Sequence, residues 1–253
     1  RLWVGNLTDA HALAYMADEN KILCYMPPMG VMCNLLRCAA AKRPGLLTKV
    51  GLHTFADPRN EGCAFNQLKL WEDHPGVYDA WDILPNYRDV PKAYTVAEPL
   101  RLTAQDGVSA ELTAGLTTGK SSWRMLIRLF AGSRGIEVEH LVDWHEKHCL
   151  AKVNFGPEIL TRELVCDTSA GYVRRSLTRN TSWEEARFEV CHHKWFDMSE
   201  ADAGLAVINS GKYGVGLEGD EVSLSLLRST IRPDITSDMG SHDIRYLILP
   251  HAG

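Results

Sequence analysis

The chain has 253 residues, of which 45% are hydrophobic and 23% are charged. These shares are ordinary for a globular protein and exclude a collagen-like, low-complexity or largely disordered chain. The net charge of −5 argues against a general nucleic-acid binder, and no apolar run approaches the roughly 18 residues that span a bilayer. We therefore expect a globular protein that has neither a nucleic acid nor a membrane as its partner.

The first 50 residues alternate between helical and extended patterns. Asp9 is placed to cap a helix that ends near Asn20, and residues 21–26 form a short apolar run typical of a buried strand. Apolar residues then recur at helical spacing over 31–42, and a second apolar run covers 46–51. Strand, helix and strand at this spacing predict a small parallel α/β unit.

From about residue 93 the apolar period changes to two. In residues 122–130, Trp123 and Met125 lie on one face of a strand, while Arg124 and Arg128 lie on the other. Turn-forming residues separate the following strand candidates: 94–103, 108–116, 122–130, 136–143, 149–155, 186–192, 203–209, 221–228 and 242–249. Many short strands without a long helix predict a mostly β fold, a multi-strand antiparallel β-sandwich preceded by the small α/β fragment.

The charge divides where the fold pattern changes. Residues 1–67 carry seven Lys and Arg against five Asp and Glu, a net of +2, which leaves −7 for the rest of the chain. No linker rich in Gly, Ser or Pro separates the two parts. We therefore place the domain boundary at Asn66, between an α/β fragment over 1–66 and a β-sandwich region over 67–253.

Cysteine usage indicates a cytoplasmic protein. The seven cysteines are an odd number, are scattered and form no Cys-x-x-Cys pair, which favours reduced buried thiols. Because the chain opens at Arg1 without an initiator Met, we also expect it to be a fragment or a processed chain.

The N-terminal part carries a long specific run, KRPGLLTKVGLHTFADPR, over residues 42–59. Together with Asn20-Lys21-Ile22, this run makes residues 20–66 resemble the coenzyme A transferases of the acetate/propionate type. The resemblance implies acyl transfer between coenzyme A and a short carboxylate through a glutamate thioester. Glu19 and Glu61 do not sit in the family's glutamate motif, so we expect only a partial coenzyme A transferase segment here.

The C-terminal part carries a series of ordered blocks, among them YDAWDI over 78–83, VDWHEKH over 142–148, TRNTSW over 178–183, ARFEV over 186–190, KYG over 212–214 and LSLLRS over 224–229. With these blocks, residues 66–253 resemble the C-terminal region of the glycoside hydrolase family 38 α-mannosidases. The resemblance implies a set of β-sandwiches that pack against a separate catalytic α/β barrel. It implies α-mannosides as substrates and retaining hydrolysis with a zinc ion held by two His and two Asp of that barrel.

No block of this chain matches those zinc ligands. The resemblance therefore predicts a non-catalytic region with no catalytic residue, no metal and no cofactor of its own, inactive alone, whose zinc belongs to the missing catalytic domain.

Two sequence clusters suggest metal ligands but have the wrong spacing. His145 and His148 stand three apart on a strand or turn, and Cys191-His192-His193 places adjacent side chains on opposite faces. We predict a polar strand end in the first case and no metal in either. The run Thr118-Gly119-Lys120-Ser121-Ser122 lacks the glycines and helix of a phosphate loop, so we predict a hairpin turn.

Six residues are candidates for contact with carbohydrate or with a catalytic domain. Exposed tryptophans can stack on sugar rings, and neighbouring carboxylates can bind sugar hydroxyls. The candidates are Asp79, Trp81, Asp82, Trp183, His193 and Trp195.

Two further functions stay open on the sequence: an acyl-CoA:carboxylate transferase fragment and a free-standing carbohydrate-binding module. A homo-oligomer stays open as well.

Overall fold

The computed structural model describes residues 2–3, 24–25, 65–74, 76–157, 159–218 and 221–253. The chain divides into two compact units, Arg1–Cys63 and Ala64–Gly253. In the first unit, β1 (Leu2–Trp3) pairs in parallel with β2 (Cys24–Tyr25). The predicted helices over 10–20 and 31–42, the strand over 46–51 and most of the strand over 21–26 lie outside the described residues.

The second unit is built almost entirely of short strands. A 3-10 helix covers Pro85–Asp89 and one short helix, α1, covers Ser182–Glu185. The strands are β3 (Phe65–Glu72), β4 (Pro91–Lys92), β5 (Thr95–Gln105), β6 (Ser109–Thr117), β7 (Ser122–Phe130), β8 (Ile136–Trp144), β9 (Cys149–Phe155), β10 (Glu163–Thr168), β11 (Gly171–Ser176), β12 (Glu189–Cys191), β13 (Trp195–Ser199), β14 (Gly204–Asn209), β15 (Gly214–Glu218), β16 (Glu221–Arg228) and β17 (Gly240–His251).

These strands form two antiparallel sheets, which confirms the predicted sandwich. One sheet has nine strands in the order β11-β10-β13-β14-β17-β8-β7-β6-β5, and the other has six in the order β12-β15-β16-β9-β3-β4. No helix in the described part of the chain is long and apolar enough to cross a membrane.

The core lies between the sheets and follows the period of two. In β8, Val138, Val142 and Trp144 are buried among core residues, whereas Leu141 on the opposite face is exposed. Glu139 also lies on that opposite face, yet it is buried because Arg128 Nη1 and Arg245 Nη2 bond its carboxylate at 2.7 and 2.6 Å. The alternation of apolar and polar residues therefore predicts which face of the sheet a residue lies on. Whether a charged residue on the outer face is buried depends on its salt bridges.

The strand predicted over 186–192 is shorter in the structure. The helix α1 ends at Glu185, residues 186–188 form a turn, and only Glu189–Cys191 form the strand β12. Thr181 Oγ1 accepts a hydrogen bond from the Glu184 backbone N–H, and the Glu184 carboxylate accepts from the Thr181 N–H. This capping box starts a helical turn that the apolar pattern did not indicate.

Residues 76–84, here called the covering loop, lead into the 3-10 helix and lie with it over the outer face of the six-stranded sheet. The loop and the 3-10 helix bring Tyr87 onto Trp71 and Leu150, with the rings of Trp71 and Tyr87 edge to face at 5.5 Å. Ile83 and Phe188 pack against this cluster. Polar residues of β9 that alternation directs away from the core are thereby enclosed as well.

Candidate functional site

Asp79 lies in the covering loop and is almost fully buried. Its carboxylate accepts the backbone N–H groups of Ile231 and Arg232 at 2.5 and 2.8 Å. Burial acts to raise the pKa of Asp79, but the hydrogen bonds from Ile231 and Arg232 outweigh it and the pKa is lowered. Both carboxylate oxygens of Asp79 are therefore bonded to the backbone of residues 231–232, and they hold that segment in place.

Trp81 is on the surface of the same loop, with 71% of its area exposed. Its ring meets the exposed ring of Tyr78 edge to face at 6.1 Å. The loop is braced because Arg228 binds the Asp73 carboxylate at 2.5 Å and the Asp82 carbonyl at 2.6 Å. A rigid loop that presents two aromatic rings to solvent is suited to contact with a partner or a sugar.

Asp82 differs from Asp79, although both flank Trp81. The Asp82 side chain is exposed and, among the residues that the structure describes, accepts a hydrogen bond from the neighbouring Ile83 N–H at 2.9 Å. One carboxylate thus faces inward and the other faces solvent, so the two do not form the facing pair that glycoside hydrolysis requires.

We expect Asp79→Ala to lower the free energy of unfolding by about 1–3 kcal/mol, because the backbone N–H groups of Ile231 and Arg232 lose their charged acceptor. Asp82→Ala, the matched control three residues along the same loop, should change it little, because the Asp82 side chain is exposed. Urea unfolding followed by tryptophan fluorescence measures both. Equal effects of the two substitutions would show that Asp79 does not hold the loop.

His193 lines a surface hollow of about 360 Å³. Its backbone N–H bonds the Asp167 carbonyl at 3.0 Å, and its ring meets the Tyr213 ring edge to face at 5.7 Å. The Asp167 carboxylate accepts the Lys194 N–H at 3.0 Å and lies in the same hollow. An aromatic ring beside a carboxylate, an imidazole and a lysine can bind one polyhydroxylated ring.

The remaining two candidates lie on other elements. Trp195 is half-buried on β13, where it pairs with Ile208 of β14. Trp183 is 64% exposed on α1. The structure therefore divides the six predicted residues among the covering loop, the β12–β13 segment and α1, and their role as contact residues stays a prediction.

The predicted polar strand end at residues 145–148 connects β8 to β9. The His145 Nε2 atom lies 2.9 Å from the exposed Asp143 carboxylate. The Glu146 carboxylate is buried and accepts Lys92 Nζ at 2.5 Å together with the Thr118 and Ser121 hydroxyls. Burial acts to raise the pKa of Glu146, but the bonds from Lys92 and Thr118 lower it. Glu146 is thus a structural anchor between β4, the β6–β7 turn and β8.

The run around Gly119 is the hairpin turn that its sequence predicted. Thr118 N–H bonds the Ser121 carbonyl at 3.2 Å, and Gly119 has a φ of +89°, a conformation that glycine adopts without strain. The turn joins β6 directly to β7.

A zinc site in the described part of the chain would need several donor side chains that converge on one point. Within it, no three His, Cys, Asp or Glu side chains converge in a group that could hold a metal ion. His192, in the second suspected cluster, is buried: its Nδ1 atom lies 3.0 Å from the Tyr213 carbonyl and its Nε2 atom 2.7 Å from Asn209 Nδ2. Burial lowers the pKa of His192 to about 4, so it is neutral at pH 7.

The sequence reading missed a buried ion pair on the outer face of the six-stranded sheet. Lys152 is fully buried, and its Nζ atom lies 2.5 Å from the Glu189 carboxylate, which also accepts the Tyr87 hydroxyl at 2.7 Å. Burial lowers the pKa of Lys152, although Glu189 acts to raise it. Gly216 makes room for the pair, because a Cβ there would lie 2.6 Å from Glu189 Oε1 and 2.7 Å from Lys152 Nζ.

A second missed group is a polar chain inside the core. The His140 Nδ1 atom accepts the Trp123 indole N–H at 2.8 Å, and its Nε2 atom lies 2.8 Å from the Tyr246 hydroxyl. That hydroxyl donates to the Asn66 side-chain oxygen. Burial lowers the pKa of His140 to about 3. These hydrogen-bonded side chains connect β3 of one sheet with β7, β8 and β17 of the other.

Comparison with known proteins gives two sets of relatives. The model of the glycosyl hydrolases family 38 C-terminal domain matches residues 44–236. Mouse alpha-mannosidase 2C1 is 36% identical over 204 residues, which are 76% of this chain and 19% of that protein. The caffeate CoA-transferase of Acetobacterium woodii is 48% identical over 64 residues, 25% of this chain and 12% of that protein.

Solved structures resemble the chain in fold. An alpha-mannosidase from Enterococcus faecalis V583 superposes with a TM-score of 0.55 at 12% identity, over 62% of this chain and 22% of that one. The chain thus spans about a fifth of the length of the mannosidase relatives it matches.

Proposed function

The chain belongs to the family of the glycosyl hydrolases family 38 C-terminal domain, and from this premise we propose that it is the non-catalytic β-sandwich portion of an α-mannosidase. In this proposal the hydrolysis of α-mannosides takes place in another part of such an enzyme, which also holds the zinc ion. The sandwich positions and stabilises that part. Residues 20–66 are a partial coenzyme A transferase segment, supported by the 64-residue match.

One observation carries the proposal: the buried ionisable residues among those described, such as Asp79, Glu146 and Lys152, are bonded to other elements of the sandwich. Glu146 joins β8 to β4 through Lys92, and Lys152 joins β9 to β12 through Glu189. Asp79 fixes the covering loop to Ile231 and Arg232. Groups fixed by two or three internal bonds serve packing and are poorly suited to exchange protons with a substrate.

The exposed Tyr78–Trp81 pair is the surface that we assign to contact with the rest of the enzyme. Aromatic side chains on a rigid loop are the residues that dominate protein interfaces. The buried Asp79 below them and the Arg228 brace keep the loop in one conformation. The free thiols of Cys149, Cys166 and Cys191 support a cytoplasmic location.

A chimeric enzyme tests this assignment. The stretch of mouse alpha-mannosidase 2C1 that matches this chain is replaced by the unit Ala64–Gly253. We expect the chimera to hydrolyse an aryl α-mannoside and Trp81→Ala to lower the activity about tenfold, as loss of an interface tryptophan does. Tyr172→Ala, which removes an aromatic side chain of similar exposure on β11, is the control. A folded but inactive chimera, or equal activities of the two variants, would contradict the assignment.

A second candidate function, a free-standing carbohydrate-binding module, is favoured by the hollow beside His193. Its Tyr213 ring and Asp167 carboxylate lie in one small concave site, an arrangement suited to a single sugar ring. Loss of saccharide binding in Tyr213→Ala would support it.

A further inference from the structure

A surface hollow of about 810 Å³ lies on the nine-stranded sheet. It extends over β5, β6, β7, β8 and β17, which are neighbours in that sheet. The strand register places Gly115 beside Arg124, Arg124 beside Leu141 and Leu141 beside Asp243. Leu141 is exposed, so this row belongs to the face directed away from the core. We call the hollow the outer groove.

The groove exists because small side chains interrupt the charged face. Gly115 has no side chain, and a Cβ there would lie 3.2 Å from the Cβ of Glu98 on β5. In the next row, the register sets Thr117 beside Ser122, and Asp143 beside both Ser122 and Ser241. Small side chains therefore form the bottom of the groove along two adjacent rows, the row of Gly115 and the row of Ser122. Longer charged side chains flank these rows.

Charges of both signs alternate along the groove. Glu98 is bonded by Arg101 at 3.0 Å, and Asp243 is bonded by Arg245 at 2.7 Å. Arg124 lies between them and makes no hydrogen bond or ion pair with any residue that the structure describes. A long anion would be repelled by the carboxylates of the groove, and a long cation by its arginines. A neutral polyol would instead find hydrogen-bond donors and acceptors alternating along the groove.

Leu141 adds an apolar patch to the groove. It is 39% exposed in the middle of the row, between Arg124 and Asp243. An apolar patch beside charged donors and acceptors suits a pyranose ring, which has C–H groups on its faces and hydroxyls on its edge. The groove volume lies within the range of small-molecule sites, about 300–1,000 Å³.

We propose that the outer groove binds a neutral oligosaccharide, with Arg124 donating to adjacent hydroxyls and with Asp143 and Asp243 accepting from others. The groove crosses five strands that are about 4.8 Å apart, which suits several sugar rings rather than one. The proposal rests on the proposed function only for the choice of an α-mannoside as the first probe.

Calorimetric titration of the full chain with α-mannotriose and, separately, maltotriose tests the proposal. We expect binding of at least one of them. Arg124→Ala removes the central donor and Ser122→Tyr fills the floor, and each should weaken binding at least about tenfold. Ser122 is exposed and its side chain makes no described hydrogen bond, so this second variant leaves the fold intact. Arg174→Ala is the matched control, because Arg174 is an exposed arginine of the same sheet outside the groove.

Three outcomes separate the claims. Absence of binding by the unaltered chain to both probes would overturn the proposal. Binding that survives Arg124→Ala and Ser122→Tyr but is lost in Tyr213→Ala would also overturn it and place the saccharide beside His193. Binding of maltotriose alone, lost in both groove variants, would support the groove while contradicting the proposed link to α-mannosides.

Discussion

Replacing Glu189 by alanine is expected to lower the free energy of unfolding by about 3–5 kcal/mol, the cost of leaving one member of a buried ion pair without its partner. Glu189 is the acceptor for Lys152 Nζ at 2.5 Å and for the Tyr87 hydroxyl at 2.7 Å. Lys152 is fully buried and cannot turn to water. Urea unfolding of the full chain, monitored by circular dichroism, measures the loss.

A double substitution tests whether the loss of stability comes from the unpaired charge of Lys152. Lys152→Met with Glu189→Leu removes both charges and keeps much of the volume, so the chain should recover most of the stability that Glu189→Ala loses. Glu163→Ala, which breaks the exposed pair with Arg174, is the control and should change little. A Glu189→Ala variant as stable as this control would contradict the buried pair.

Acidification is expected to destabilise the sandwich well before its carboxylates are protonated. Burial lowers the pKa of His140 to about 3 and that of His192 to about 4, against about 6.5 in an unfolded chain. Below pH 6.5 the unfolded state therefore binds protons that the folded state excludes. The stabilisation is complete above pH 6.5 and is lost as the pH falls, by about 1.4 kcal/mol per pH unit for each histidine.

The free energy of unfolding should thus decrease by on the order of 5 kcal/mol between pH 6.5 and pH 4. His140→Gln removes one titrating group, so the slope against pH should fall by about half, whatever the variant's absolute stability. His145→Gln replaces a histidine on the surface and serves as the control. An unchanged slope in His140→Gln would show that His140 is not buried as a neutral ring.

The sandwich could be predicted because its strands have one face in the core. Residues 122–130 alternate, and the structure forms β7 over the same residues. The bounds of β9 were also predicted, and all seven of its residues are buried, although Lys152 and Asn154 interrupt its apolar residues. Strands such as β11, at the edge of its sheet, were not predicted because they bury little and carry no clear period.

The site was harder to predict because its contacts are distant in sequence. Lys152 stands within a buried strand, which is a local signal for a partnered charge, but Glu189 and Tyr87 come from other elements. The carboxylates Asp79 and Asp82 have similar sequence surroundings, yet only the first meets the 231–232 backbone. The outer groove has no sequence signature at all, since it depends on the register that places Gly115 beside Arg124.

The rate at which the purified chain hydrolyses an aryl α-mannoside, with and without added zinc, tests the central claim most directly. We expect the uncatalysed rate under both conditions, because the buried ionisable groups are bonded to other elements and the described residues offer no metal-binding group. Zinc-dependent turnover that is lost when a single histidine, such as His145 or His193, is replaced would contradict it.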